Sequence, residues 1–372
     1  MFKSYAKKYD VIVIGAGPSG SASAICCAKA GLDVLIVERE QFPRNHAGET
    51  VHPGIEPLLD KLGVLDDVSS ADFVRHTGHW LLWNEGNSNH HRPSFVPFGS
   101  DHTGPWKGFQ LWRPIFDSIL LNYARRIGVK IAQPCQVLKP VIDENNRISG
   151  IETTAGIFDS SFLIDAAGSQ NWLAKKLRQK VRNFSPRLIV WYGYLEKDTI
   201  NQSELRTENG NHENSNHYDS FPSLIADRDG WTWMAMVKVG LYQCTKLYFK
   251  WDPSEKRIKP PPPLLPGYRQ IGNVVGQDVT WRLVPNPAGE NYFMVGDAAA
   301  VLDPSSSHGI LRAIMSAMMA GHLIKDIKRN QRTRSNAFET YCRWMYDWFV
   351  SDMQAMRTLY AKHPNPPEWI FE

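Results

Sequence analysis

The chain has 372 residues, 42% apolar and 22% charged, with a formal net charge of +4. That length holds one large α/β domain with a second one inserted. The charge is mild, no basic run interleaves with aromatics, and no apolar run is long enough to cross a bilayer, so neither a nucleic-acid partner nor a membrane span is expected. The opening segment MFKSYAKKYD lacks an apolar core; no secretory signal is expected, and the expected compartment is the cytoplasm. Five cysteines at 26, 27, 135, 244 and 342 show no C-x-x-C spacing. They read as small buried thiols, with a redox thiol or a covalent link to a cofactor as the alternative, and no metal site is expected.

In chain order, Tyr9 to Ile14 reads as a buried parallel strand. Gly15-x-Gly17-x-x-Gly20 is the turn that ends it, and a helix from Pro18 to about Ala30 comes next, closed by Gly31. Gly15 permits the tight bend, Gly17 the close approach of backbone to a pyrophosphate, and Gly20 the packing of helix on strand. The helix offers free N–H groups and a positive dipole end to phosphate. Leu32 to Val37 is the second strand, and Glu38 at its end is placed to accept from both hydroxyls of an adenosine ribose. A 2′-phosphate would be repelled there. Strand, turn, helix, strand and acid in order predict a Rossmann nucleotide site.

Leu163 to Gly168 reads as a third strand ending in a small-residue turn, before a helix from about Asn171. The runs RLIVWYGYLE, GWTWMAMVKV and TKLYFKW between residues 187 and 251 predict antiparallel strands of a second sheet. Two loops, Asn209 to Asp219 and the proline run Pro260 to Pro263, read as connectors or as edges of a substrate entrance. Tyr292 to Val295 is a fourth strand running into Gly296-Asp297. Asp297 can accept from a ribityl hydroxyl or simply cap a helix. A helix starting near Ser307 can aim N–H groups at the edge of an isoalloxazine ring, where negative charge grows on reduction. Phe338, Tyr341, Trp344, Met345, Trp348, Met353, Met356 and Leu359 recur at helical spacing, predicting a C-terminal amphipathic helix that packs on the sheet edge or docks a partner.

Four segments, Gly15–Glu38, Arg113–Asp117 within QLWRPIFDSIL, Asp165–Gly168 and Gly296–Ile310, resemble FAD-dependent monooxygenases of the aromatic-hydroxylase type. Within them the chain is similar to the branch of flavin-dependent halogenases and geranylgeranyl reductases. The resemblance implies an α/β fold: a discontinuous GR2-type FAD-binding domain (1–75, 108–180 and 280–330), an inserted antiparallel β-sheet substrate domain (76–107 and 181–279) and a C-terminal helical segment (331–372). It implies FAD contacts from Gly15, Gly17, Pro18, Ser19 and Gly20, and from Glu38 and Arg39. Arg44, Gly48 and Glu49 would lie along the isoalloxazine. Arg113 would reach the phosphate or ribityl region, and Val137 the adenine by its backbone. Gly168, Gly296, Asp297, Pro304, Ser307, Gly309 and Ile310 would close the site.

His46 and His308 are the candidate catalytic residues, as proton donors or acceptors beside the ring. Halogenases of this kind carry a lysine downstream of the Gly-Glu turn. Here Arg75 and His76 match that position, and no lysine lies between Lys61 and Lys107. Their Trp-x-Trp-x-Ile-Pro motif is echoed by Trp231-Thr232-Trp233, but Met234-Ala235-Met236 replaces its second half. The stretch Ser307 to Ala313 resembles flavoproteins that mature tryptophylquinone cofactors. The expected function is therefore FAD-dependent hydroxylation of an aromatic group, including a tryptophan side chain of a partner protein. The alternatives are a halogenase, a prenyl reductase, or a flavoprotein acting as a binding or chaperone partner. Without a second G-x-G-x-x-G, reducing equivalents would come from NAD(P)H lacking a domain of its own, or from free reduced flavin.

Overall fold

The computed structural model describes residues 8–83, 93–197, 221–249 and 268–372. Both connector stretches, Asn209–Asp219 and Pro260–Pro263, lie outside the described residues.

A first sheet carries five parallel strands in the order Lys130–Ala132, Val34–Val37, Lys8–Ile14, Gly156–Asp165, Tyr292–Met294. The apolar runs at 8–14 and 34–37 are buried almost throughout, as strands covered on both faces must be. The long strand Gly156–Asp165 changes partner along its length. Its first half pairs antiparallel with Ile148–Thr153 and its second half parallel with Tyr292–Met294. The last of the parallel strands thus comes from far down the chain, and its C-terminal end opens beside the glycine turn, where open α/β sheets bind ligands.

The helix Pro18–Lys29 starts with proline at its first turn and has no side-chain cap on Gly17. Its first N–H groups are therefore left for another partner. Gly15 sits at φ +94, and a Cβ at Gly20 would lie 1.9 Å from the Gly15 carbonyl oxygen. This helix packs against Gly309–Lys328, where a Cβ on Gly321 would meet Cys26 at 2.7 Å.

The second sheet has seven strands in the order Tyr268–Asp278, Ile189–Lys197, Leu241–Tyr248, Gly230–Lys238, Ser223–Asp227, Gly78–Trp83, Ser94–Pro97. All pairings are antiparallel except that between Ser223–Asp227 and Gly78–Trp83. A small sheet of Glu49–Val51, Gly108–Leu111 and Val74–His76 joins the loop after Glu38 to the helix Arg113–Arg126.

Two helix starts fall one and two residues past the expected positions. Asn171 adopts φ +49, so the helix begins at Trp172 and runs only to Lys176. Pro304–Ser306 forms a 3-10 turn and Ser307 takes φ +54, so the next helix begins at Gly309 rather than Ser307. The C-terminal helix spans Arg334–Ala361 and buries Ala337, Tyr341, Met345, Phe349, Met356 and Tyr360. Trp344 and Trp348, expected on the buried stripe, instead stack on each other at its margin, 6.2 Å apart. Phe349 and Tyr360 take the inner positions because the stripe drifts around a 28-residue helix.

Replacing Gly20 with alanine should lower stability by about 1–3 kcal/mol, since the new methyl meets rigid backbone. Thermal melting of Gly20→Ala against wild type checks this; an unchanged midpoint would contradict the packing described.

Candidate cofactor and substrate site

One cavity of about 640 Å³ runs from the glycine turn to the inner face of the seven-stranded sheet. Its volume falls in the range of small-molecule and cofactor sites. At one end Gly15, Gly17, Pro18 and Ser19 line it, under the open end of the first helix. Glu38 and Arg39 lie next to them at the end of the second strand, with Val137 opposite. Glu38 is buried and accepts from Ala16 N–H at 2.7 Å and Glu40 N–H at 2.9 Å. A carboxylate has about four acceptor sites, so capacity for a diol remains.

The middle of the cavity is built on a chain of charges. Arg113, 4% exposed, donates from Nε to Asp117 Oδ1 at 2.7 Å and from Nη2 to Oδ2 at 2.9 Å. Its Nη1 donates to Glu49 at 2.9 Å and lies 3.5 Å from His46 Nδ1. Arg44 bridges the ends, 3.8 Å from both Glu38 and Asp117. The segment from Arg44 to Thr50 lies against the second sheet. Tyr194 donates its hydroxyl to the His46 carbonyl at 2.6 Å, and a Cβ on Gly48 would come within 2.7 Å of Gln243 Oε1. At the far end Asp297, Pro304, Ser307, Gly309 and Ile310 line the wall, with the uncapped helix Gly309–Lys328 opening into the cavity. Gly168 lines it too, on a turn pinned by Asp165, which accepts from Ala167 N–H and Leu173 N–H. Tyr192, Trp231, Trp233, Gln243 and Thr245 form the roof.

Three expected contacts lie off this lining. Gly20 and Gly296 stand behind it, where Gly20 sets helix packing and Gly296 takes φ +56 against Ser19. His308 flanks the lining residues Ser307 and Gly309 but is turned outward; its Nδ1 lies 4.0 Å from Asp352 of the C-terminal helix. His46 is on the lining. Cys26 and Cys27 are not, whereas Cys135 is. Asp117, Tyr192 and Gln243 were not anticipated. Only Asp117 left a sequence signal, four residues after Arg113 on one helix face.

Burial pushes the Glu49 carboxyl up to about 7, against the pull of Arg113. The Arg113 guanidinium, then burial, hold His46 well below the usual imidazole range, so its ring is neutral. Burial also lowers His308, with Arg312 adding to it and Asp352 opposing. Of Arg75 and His76, which match the position expected for a lysine, neither is on the lining: Arg75 pairs with Glu56, and His76 is buried. Its Nδ1 lies 2.9 Å from the Gly78 carbonyl, and burial takes its pKa down to about 4.

The fold, with its glycine turn and carboxylate-bearing second strand, defines a dinucleotide-binding flavoprotein. The FAD binding domain family matches residues 8–204, more than half of the chain, and the chain belongs to that family. It is 27% identical over 367 residues to the tryptophan 2-halogenase of Chondromyces crocatus, covering 91% of this chain and 65% of that enzyme. It is 26% identical to the 1H-pyrrole-2-carbonyl-[peptidyl-carrier protein] brominase of Pseudoalteromonas luteoviolacea (strain 2ta16), covering 86% of this chain and 78% of the relative. The fold is shared with the flavin-dependent halogenase CmlS, at TM-score 0.83, 23% identity and coverage of 98% and 67%. The flavin-dependent brominase Bmp2 also shares it, at TM-score 0.77, 22% identity and coverage of 95% and 87%. The chain spans just under two thirds of the tryptophan halogenase's length, and the cofactor its family binds is FAD.

The residues present fit FAD. The glycine turn leaves room for a pyrophosphate and Glu38 for a ribose. Arg44 Nε and Gln243 Oε1 are buried at the cavity without a hydrogen-bond partner among the described residues, a polar complement for a polar ring system.

Arg113→Met should cost about 3–5 kcal/mol, because buried Asp117 loses both short hydrogen bonds and keeps only Arg44 at 3.8 Å, and FAD should be lost on gel filtration. Glu49 carries a second prediction. Its folded pKa lies above the ordinary value of 4.5, so its contribution to stability is fully present below about pH 4.5 and is lost as pH rises through about 7. In the FAD-free protein, Glu49→Gln should flatten the fall in melting temperature across that window. An identical pH slope in the variant would refute the assignment.

Proposed function

We propose that this chain is a halogenase-type flavoenzyme that oxidises an electron-rich aromatic ring. One observation carries the reading: the wall that fits FAD and a roof of Tyr192, Trp231 and Trp233 enclose a single cavity. The extent of the likeness to a tryptophan and a pyrrole halogenase, over 91% and 86% of the chain, supports the substrate class. FAD when bound supplies the oxidising chemistry with dioxygen and a reductant. The chain's own residues hold and shield it. The glycine turn and Glu38 bind the adenosine end, Arg113 and Arg44 hold the middle, and the Arg44–Thr50 segment under Gln243 shuts out water. His46, neutral and facing the cavity, is the proposed acceptor of the proton that leaves a substituted ring. His308 is proposed as the second proton carrier, linking the cavity wall to the outside. Gln243, Thr245 and Gln277 on the lining speak against the apolar tunnel that a prenyl chain requires.

A second reading, hydroxylation of the ring, is favoured by one specific feature. No lysine lines the cavity among the described residues, and Arg75 and neutral His76 stand where the lysine is expected. A tryptophan side chain in a partner polypeptide is then an acceptor of the same class. In either reading the reductant arrives as NAD(P)H or as reduced flavin from another enzyme.

The reduced, FAD-loaded chain is given dioxygen, bromide, and in turn tryptophan, a pyrrole carboxamide and a tryptophan-bearing peptide. Mass spectrometry should find bromine in place of hydrogen on one of them. Oxygen insertion alone would replace this reading by the second, and reaction with none would remove both. Glu38→Ala should weaken FAD binding about 10–100-fold by removing charge-assisted hydrogen bonds, read by flavin titration.

A further inference from the structure

A run of oxidisable rings leads away from the cavity, and neither halogenation nor hydroxylation gives it a role. Trp231 lines the cavity and is 1% exposed. Its indole Nε1–H donates to the Tyr360 hydroxyl at 2.8 Å. Tyr360, at the end of the C-terminal helix, is fully buried, and its hydroxyl also meets the Asp303 carboxyl. Trp281 donates its Nε1–H to Asp303 Oδ2 at 2.6 Å, with its ring centroid 5.9 Å from that of Tyr360. Trp369 lies 5.0 Å from Trp281 and 6.2 Å from Tyr360, and retains 9% exposure beside the exposed Phe371. Four rings from three distant parts of the chain thus form one contiguous path from the cavity wall to the surface.

Tryptophan and tyrosine are the side chains most readily oxidised by one electron. Tyrosine yields its electron readily only when its proton has somewhere to go. Asp303 is that place: it is 1% exposed, and burial raises its affinity for a proton. Ordinary packing explains the apolar contacts. It does not require that the Trp281 indole N–H and the Tyr360 phenol converge on one buried carboxylate while Trp231 donates to that same phenol.

We propose that Trp231, Tyr360, Trp281 and Trp369 form a path that drains one-electron oxidation from the cavity to the surface. The oxidant is an oxygen-centred radical left by uncoupled turnover, and the final reductant is a solvent thiol. Trp231 gives one electron to the radical, which takes a proton from water and becomes the reduced species. Tyr360 gives its electron to Trp231 and its proton to Asp303. Trp281 then gives an electron to Tyr360, and Asp303 returns the proton. Trp369 reduces Trp281, and the thiol reduces Trp369, releasing its own proton and leaving a thiyl radical. The net change is one oxygen radical and one thiol converted to the reduced oxygen species and one thiyl radical. The path rests on the proposed FAD-bound, oxidising site, not on whether halide or oxygen enters the product.

The test uses the FAD-loaded full chain in oxygen-free buffer with no halide and no substrate. Illumination at the flavin band provides a one-electron oxidant in the cavity. Protein radicals are read by electron paramagnetic resonance, with ring-deuterated tryptophan or tyrosine to assign them. The wild type should show tyrosyl and tryptophanyl signals that dithiothreitol quenches. Tyr360→Phe, matched for FAD content and melting, should lose most of the thiol-quenchable signal. Trp369→Phe lies at the outer end and also serves if Tyr360→Phe fails to fold; it should form the radical but slow its quenching. The same yield and quenching in both variants, or a signal assigned only to residues off this path, would overturn the proposal. Because the readout needs no product, failure of the halogenase reading leaves it unaffected.

Discussion

The buried fork of Arg113 is the interaction on which the site rests. Three of its donors are satisfied by two carboxylates, Asp117 on its own helix and Glu49 on the cavity loop. A guanidinium taken out of water is tolerated only when it is paired this fully. The pairing fixes the helix Arg113–Arg126 to the loop carrying His46 and Gly48. Through Arg44 it extends to Glu38, at the end of the second strand. The adenosine end and the ring end of the cavity are therefore held by one continuous set of charges. The same field sets the protonation of the loop: Arg113 keeps His46 neutral, while burial lifts Glu49 toward neutrality despite it.

The C-terminal helix acts as a brace on the segment that closes the cavity. Tyr341 donates to the Met294 carbonyl at 2.7 Å, where the last parallel strand ends. Asp352 accepts from Arg312 Nε at 2.9 Å, one turn inside the helix whose open end faces the cavity. Tyr360 reaches Asp303 and Trp231 together. These contacts span the Met294 to Arg312 stretch, so a turn that contains a residue at φ +54 is fixed from outside by a rigid element. The sheet roof and the flavin wall are joined through the same tyrosine.

The likeness to halogenases and the character of the lysine position pull in different directions, and the physical content of that tension is local. An exposed or half-buried amine can carry a charge and a nucleophilic lone pair in turn. His76 does not take that part here: its Nδ1 is committed to Gly78, burial disfavours the imidazolium, and the ring lies buried off the cavity lining. Buried Lys246 is committed too, paired with Asp227 across the intervening strand Gly230–Lys238 of the second sheet. The residues that fit FAD are in place, while no lysine lines the cavity among the described residues.

The glycine turn, the acid 18 residues beyond it and the apolar strands around them were legible in the sequence because they are local devices. A φ of +94 at Gly15 or an open helix end needs only neighbours along the chain, and the residue pattern states it. The charge pairs were half legible. Arg113 and Asp117 share a helix face, but Glu49 lies 64 residues away and meets Arg113 only because a small sheet brings Glu49–Val51 beside Gly108–Leu111. His308 shows the limit most clearly. Its position beside Ser307 and Gly309 suggested a place on the lining, yet the αL turn at Ser307 points it away, toward Asp352. What the sequence by itself determined is the nucleotide-binding chemistry, since backbone conformation and short-range hydrogen bonding create it. The roof, the protonation of His46 and Glu49, and the partners of Trp231 were decided by tertiary structure. They depend on which distant side chains share a low-dielectric space, and no spacing along the chain encodes that.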